Sequence, residues 1–268
     1  MKVQNKVVVV TGGGSGMGRE LVLALLAKGA SVAAVDINTS ALEGTRELAG
    51  ANRDKLATYT VNITDRGLVE ALPGQVLSRF GTVDGIINNA GIIQPFVRLK
   101  DLDYAAIDRV MNVNLFGTLY MTKAFLPHLL ARPEAHITNV SSMGGFLPVP
   151  GQTIYGAAKA AVKLLTEGLN SELQGTNVRV TVVFPGAVRT NIMVNSGLDA
   201  RQPAKGEAGS FKTLMPDKAA RIIIEGIERN RERVMVGNDA TLMDAVYRLN
   251  PQRAARFIYN QMSALLPK

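Results

Sequence analysis

Cysteine and tryptophan are both absent from the 268 residues. Without cysteine there is no disulfide framework, no thiolate nucleophile and no cysteine-ligated zinc. Histidine is scarce: only His128 and His136 occur, and their spacing is not that of metal ligands, so no metal site is expected. Aromatic residues make up 5% of the chain, too few to suggest a platform on which nucleic-acid bases could stack. The net charge is +8, but the lysines and arginines are scattered among acids rather than gathered into a patch. Solvated surface charge and no nucleic-acid partner are the expectation. No apolar run approaches the ~20 residues that span a bilayer. The N-terminal MKVQNKVVVVTGGG runs straight into a strand pattern, without the charged and apolar regions of a signal peptide. These absences lead to the expectation of a soluble, cytoplasmic protein.

What is present is hydrophobic and regular. Of the residues, 47% are hydrophobic, ample for a sizeable core in a single domain over 1–268. Lys6–Val10 is a β-branched run that suits a strand buried on both faces. Further strand patterns follow at 31–35, 56–61, 83–88, 136–140, 178–184 and 233–236. Helical patterns lie between them, including one long helix over 104–126 and another over 154–173. Alternation of this kind implies an α/β fold, a doubly wound parallel sheet of about seven strands with helices on both faces, the Rossmann arrangement.

Three stretches carry chemistry. Thr11–Gly18, TGGGSGMG, lies between the first strand and the helix expected from Arg19. A glycine-rich turn there lets backbone approach a phosphate, and the helix start offers free N–H groups. The spacing is Gly12-x-x-x-Gly16-x-Gly18; the common G-x-G-x-x-G pattern fails at Met17. Asp36 ends the second strand, where a carboxylate can accept from ribose hydroxyls and repel a 2′-phosphate. No arginine follows it, and Ser15 is not basic, so NAD is expected and NADP is the weaker alternative. The third stretch, Ser141–Lys159, places Tyr155 and Lys159 four residues apart, on one face of a helix. A lysine ammonium there should favour the phenolate, and Ser142 at a strand end could hold a substrate oxygen. Such a set moves a proton but cannot carry a hydride, which requires a cofactor.

Taken in order, TGGGSGMG, Asp36, Asn88-Asn89-Ala90-Gly91, Asn114, Ser142, Tyr155-x-x-x-Lys159 and Pro185-Gly186 resemble the single-domain branch of the short-chain dehydrogenase/reductase family, from about residue 5 to 240. The resemblance implies that Gly12, Ser15, Gly16, Met17 and Gly18 cradle the pyrophosphate side of the cofactor. Asp36 would bind the adenosine ribose, and Asn62 and Ile63 would lie along the adenine. Family members often have Asp where this chain has Asn62, whose carbonyl oxygen could still accept from the adenine amino group. Asn89 would flank the cofactor, and Val188 and Thr190 would meet the nicotinamide carboxamide. Tyr155 would be the acid/base and Lys159 would hold the nicotinamide ribose. Ser142 would orient the substrate oxygen, and Asn114 would keep a water between Lys159 and solvent. Ser141 is the neighbour that could replace Ser142, but the family's interval to the tyrosine favours Ser142.

The implied activity is NAD(H)-dependent interconversion of a secondary alcohol and a ketone. The alternatives are an oxoacyl-thioester reductase and a catalytically idle, nucleotide-sensing module on the same fold. Candidate pocket walls, Ile93, Pro95, Phe96, Met143, Phe146, Val149 and Ile192, are apolar. Residues 189–215 form an unusually long connection and are expected to be the substrate loop. The final segment from about 239 is amphipathic and basic. It is expected to pack on a subunit and help close the pocket, with contact to an anionic membrane as the rival reading. The helices over 104–126 and 154–173 are apolar over more than one face, and family members commonly pair such helices across two-fold axes, so a homodimer or homotetramer is expected.

Overall fold

The computed structural model describes residues 1–198, 213–263 and 266. Seven strands form one parallel sheet in the order β3-β2-β1-β4-β5-β6-β7. They are β1 Val7–Thr11, β2 Ser31–Asp36, β3 Leu56–Thr60, β4 Gly85–Asn88, β5 Ala135–Val140, β6 Val178–Pro185 and β7 Arg233–Val236. Successive side chains of a strand point to opposite faces, and both faces are filled. Val8, Val10, Val32 and Ala34 meet Leu21, Leu25, Ile223 and Ile224 on one side. Val7, Val9, Ala33 and Val35 meet Val69, Leu72, Met121 and Phe125 on the other. Each fully buried Val, Leu or Ile of these layers is worth roughly 1.5–3 kcal/mol. The chain order reverses between β1 and β4, so a crevice opens at the carboxyl ends of those strands.

Among the described residues the helices are α1 Gly16–Ala27, α2 Thr39–Leu48, α3 Arg66–Phe80, α4 Tyr104–Met111, α5 Thr118–Leu130, α6 Thr153–Glu172, α7 Ile192–Asn195, α8 Pro216–Glu228, α9 Asn238–Leu249 and α10 Pro251–Met262. Local chemistry sets several ends. The Asn38 and Asp65 side chains cap α2 and α3, and α3 stops at Gly81 with φ 75°. The final segment breaks before Pro251, with Asn250 capping α10 through Arg253 N.

Two expectations about helices change. The single helix over 104–126 is instead α4, a π-helical turn over Asn112–Gly117, and α5. The helix also runs through Pro127 to Leu130. Pro127 and Lys123 are both exposed, so the Lys123 carbonyl that loses its N–H partner can turn to water, while buried Leu129 holds the last turn down. In the expected substrate loop, α7 and a bridge between Val188 and Leu214 bring order at both ends. Residues 199–212 of that loop, and Leu265 in the final segment, lie outside the described residues.

Candidate active site

The glycine-rich turn is shaped by close approach as well as by dihedral angles. Gly12 and Gly16 have φ of 71° and 50°, the left-handed region that side chains disfavour. A Cβ on Gly18 would sit 1.9 Å from the Gly12 carbonyl oxygen, so no other residue fits. The first intrahelical donor is Arg19 N, to Ser15 O, and Ser15 makes no side-chain cap bond. The N–H groups that open α1 are therefore free to meet an anion, and no acid occupies that first turn. Ser15, Gly16, Met17 and Gly18 line the cleft at this point.

Asp36 is fixed rather than merely present. Its Oδ2 accepts from Gly14 N at 2.9 Å and its Oδ1 from Asn38 N at 3.0 Å. A Cβ on Gly14 would lie 2.9 Å from Oδ2, so this glycine makes room for the carboxylate. Arg19 braces the turn from behind, with its guanidinium on the carbonyls of Gly14 and Ala41 and the Thr45 hydroxyl. Asn62 and Ile63 line the same end of the cleft. The Asn62 Oδ1 already accepts from both Thr64 N and Thr64 Oγ1, at 3.1 and 2.9 Å. Its two lone pairs are used, so the face Asn62 can offer a base is the amide NH2 donor and not the expected carbonyl oxygen.

The middle of the cleft is stitched together by Thr11. Its hydroxyl accepts from Asn89 N and Ala90 N, both at 3.0 Å, and its carbonyl accepts from Asn89 Nδ2 at 3.0 Å. Gly91 follows where a Cβ would come within 2.7 Å of Asn114 Oδ1 and 3.2 Å of Lys159 Nζ. Asn114 is fully buried in the π-helical turn. Its amide clamps Ile92, accepting from Ile92 N at 3.1 Å and donating to Ile92 O at 2.8 Å. Its main-chain carbonyl accepts from the Thr118 hydroxyl.

Ser142, Tyr155 and Lys159 converge at the inner end of the cleft. Ser141 faces away, donating its hydroxyl to the Lys159 carbonyl at 2.7 Å, whereas Ser142 lies beside the Tyr155 phenol. Tyr155 keeps part of its surface open to the cleft, but surrounding protein raises its pKa above the usual 10, with the Ser142 hydroxyl opposing that rise. The expected lowering by Lys159 is thus not seen. Lys159 is buried, its Nζ donates to Val140 O at 2.9 Å and lies 6.0 Å from the Tyr155 ring centre. Burial also lowers its own pKa, from 10.5 to about 8.

Val188 and Thr190 reach the cleft from the segment after β6, and a Cβ on Gly16 would lie 3.3 Å from Thr190 Cβ. That segment is held by Asp239 of α9, whose carboxylate accepts from Ala187 N at 2.7 Å. The α7 turn spans the cleft. Asn195 Nδ2 donates to Ser15 Oγ at 2.8 Å, and buried Ser196 accepts from Ile93 N at 2.9 Å. Beyond Ser142, buried Leu147 packs with Met243, Ala254 and Ile258, and Met143, Phe146 and Val149 lie against them. The final helices therefore pack on their own subunit, against the loop that carries Ser142. The main cleft has a volume of about 580 Å³, within the usual range for small-molecule sites.

The sequence profile of short chain dehydrogenases matches residues 6–200, most of the chain and all of the site up to Thr190. The chain belongs to the short-chain dehydrogenase family. It is 35% identical over 270 residues, 98% of each chain, to SadH of Mycobacterium tuberculosis, which is named as an oxidoreductase. A short-chain dehydrogenase/reductase from Burkholderia phymatum, solved in complex with NAD, superposes with a TM-score of 0.84 at 27% identity, covering 94% of this chain and 95% of that one. A 3-ketoacyl-(acyl-carrier-protein) reductase from Brucella melitensis, complexed with NADH, superposes with a TM-score of 0.77 at 27% identity, covering 87% and 97%.

Within this short-chain dehydrogenase, the expected cofactor residues and Ser142, Tyr155 and Lys159 line one cleft, with Asn114 behind Ile92. Of the expected pocket walls Ile93 and Ile192 line it, whereas Pro95, Phe96, Met143, Phe146 and Val149 do not. Several residues that hold the site were not foreseen: Gln94, Asp239, Ser196 and Arg19. Apart from the Gly14 carbonyl that Arg19 meets, the partners through which they act lie tens of residues away in the chain, and no local spacing marks them. Asp239 is free to hold Ala187 because it does not cap α9: the cap position is Gly237, with φ 110°, and no side-chain cap bond forms there.

Proposed function

We propose that the protein is an NAD(H)-dependent oxidoreductase that interconverts a largely apolar ketone and its secondary alcohol, with Tyr155 as the acid/base. The observation that carries this reading is the convergence of Ser142, Tyr155 and Lys159 at the inner end of a cleft whose outer end presents Asp36. The glycine cradle fits a dinucleotide: a Cβ at Gly18 or Gly14 would fill it, and the free N–H groups of α1 suit a pyrophosphate. Gly12, Ser15, Gly16, Met17 and Gly18 would hold the phosphates and Asp36 the ribose. Asn62, Ile63 and Asn89 would flank the cofactor, and Val188 and Thr190 would hold the carboxamide. Bound there, nicotinamide supplies or accepts the hydride.

The chain's own residues manage the proton. Burial keeps the Tyr155 phenol protonated, the form that donates to a carbonyl oxygen held by Ser142. In reduction that oxygen gains this proton while its carbon gains the hydride, leaving an alcohol and a phenolate. Lys159, with a pKa of about 8, is mainly cationic at neutral pH and stabilises that phenolate. In oxidation the same groups run in reverse and Tyr155 must first lose its proton, so alkaline pH favours that direction. Asp36, held by two backbone donors, would repel a 2′-phosphate by its charge, and Arg19 is already engaged by protein acceptors. We therefore favour NAD(H) over NADP(H). We also propose that the enzyme works as a homodimer or homotetramer.

An oxoacyl-thioester reductase is the second reading, favoured by the likeness to the Brucella reductase. Because that protein was solved with NADH, an acid that selects NAD does not exclude it. Steady-state assays with a panel of apolar ketones and one β-ketoacyl thioester, each with NADH and NADPH, separate the readings. The expected result is ketone turnover at least about tenfold better in kcat/KM with NADH. For Tyr155→Phe, the expectation is a loss of ~10²–10⁴-fold in turnover with NADH binding retained. NADH binding without turnover of any substrate would leave the idle module. A Tyr155→Phe enzyme keeping half its activity would end the mechanism.

A further inference from the structure

The helix that carries Tyr155 does not cap itself. Gln152 occupies the N-cap position of α6, and its side chain makes no capping bond. The first turn is satisfied from elsewhere. Gln94, in the segment after β4, turns its side-chain Oε1 to accept from Ile154 N at 2.8 Å and from Tyr155 N at 3.0 Å. Gln152 instead donates its Nε2 to the Gln94 main-chain carbonyl at 2.7 Å. Gln152 thus steadies Gln94 beside the first turn of α6, and Gln94 and Gln152 are buried, at 0% and 4% exposure.

The remaining atoms of the pair point to the same purpose. Gln94 Nε2 and Gln152 Oε1 are buried without a protein partner. Of the two side-chain polar atoms of Gln94 only the oxygen can accept, so the amide is turned the way that serves the two helix N–H groups. The segment that carries Gln94 is itself anchored twice, at Ile92 by the Asn114 amide and at Ile93 by Ser196 of the α7 turn. Asn114, Ser196 and the Tyr155 helix therefore meet on residues 92–94.

The geometry points to Gln94 as a positioning residue of the reaction: its side-chain oxygen fixes the first turn of α6, and with it the placement of Tyr155 against Ser142 and the substrate oxygen. The inference rests on the proposed proton-transfer role of Tyr155. Gln94 touches neither substrate nor cofactor in this account; it acts through the backbone of the residue that does. Misplacement of a reacting group by about 1 Å can cost ~10²-fold in rate, and no other side chain among the described residues caps this turn.

Two variants separate positioning from bulk. Gln94→Met keeps the length and apolar stem but offers no acceptor, whereas Gln94→Glu keeps an acceptor for both N–H groups. With Gln94→Met, kcat is expected to fall at least about tenfold while the NADH dissociation constant changes less than twofold. Amide exchange at Ile154 and Tyr155 is expected to be at least about fivefold faster. With Gln94→Glu, exchange protection and most of kcat should return. Wild-type kcat and protection in Gln94→Met would overturn the inference. So would equal losses in both variants with weakened NADH binding, since that is damage to the fold. If Gln94→Met does not fold, Gln152→Met is read instead. It removes only the bond that steadies Gln94, and an unchanged kcat with unchanged exchange there would likewise overturn it. Should the wild type reduce no ketone, the function fails on its own, and amide exchange still decides whether Gln94 is the cap.

Discussion

Lys159 carries a charge where charge is costly, and the cost has a measurable sign. Its pKa falls from 10.5 in an open chain to about 8 in the fold, because burial disfavours the ammonium. Between those values the unfolded chain holds a proton that the folded one has released. Stability of the cofactor-free protein should therefore rise with pH across that window. The contribution is roughly 2 kcal/mol from pH 8 to 10, since each pKa unit is worth about 1.4 kcal/mol. Below pH 8 both forms are protonated and the penalty is constant. Denaturant titrations at pH 7, 8, 9 and 10 on the wild type and Lys159→Met check this. From pH 8 to 10 the wild type should gain stability relative to the variant, and parallel curves would mean that Lys159 is not the source. The same residue shows what sequence could say at this scale. Tyr155, Lys159, Asp36 and the glycines are legible because their chemistry is written in short, fixed spacings. The direction of the Tyr155 shift was not, because burial depends on loops distant in the chain. Nor was the exhausted Asn62 oxygen, because Thr64 takes it in a local turn that composition does not announce.

Elements were read well where a period repeats and poorly where tertiary contacts override it. The alternation of β-branched runs with helical patterns gives all seven strands to within a few residues. It could not give the π-helical turn at Asn112–Gly117, where helical periodicity is shifted by one residue and Asn114 is turned inward onto Ile92. Nor could it give α7, four residues long. That turn ties two parts of the site together, through Asn195 to Ser15 and Ser196 to Ile93. A segment latched to both the phosphate turn and the substrate side should tighten when both are engaged. Residues 190–198 are expected to exchange their amides several-fold more slowly with NADH and product together than with neither, while β-strand amides far from the cleft do not change. Exchange at 190–198 that is indifferent to both ligands would remove the loop from the binding step.

At the scale of the whole molecule, the apolar surface is unevenly finished. The inner stripe of α6 is buried through Ala158, Val162, Thr166 and Leu169, as one face of an amphipathic helix must be. Its outer side carries Ala157, Leu164 and Gly168, all exposed, with Leu164 at 68%. Neighbouring α4 exposes Tyr104 at 84%, and the π-helical turn exposes Phe116. Small residues around one large aliphatic side chain let two copies of a helix approach closely, and a two-fold axis would set the same stripe against itself. By contrast, α10 turns Ala254 and Ile258 onto its own subunit and leaves Phe257 and Tyr259 outward beside Arg253 and Arg256. Like-charged arginines there would face each other across a two-fold axis, so the uncharged α4–α6 stripe is the stronger candidate for self-association. A stable pair would need to cover about 800 Å² on each subunit, an area that α6 together with α4 and the π-helical turn can supply. Light scattering at micromolar concentration is expected to give two or four times the 28.6 kDa chain mass. Leu164→Glu, which sets like charges near the axis, should shift the protein toward smaller species while leaving its circular dichroism unchanged. A wild-type monomer at that concentration would refute assembly. An unchanged oligomer in Leu164→Glu would place the contact on a different surface.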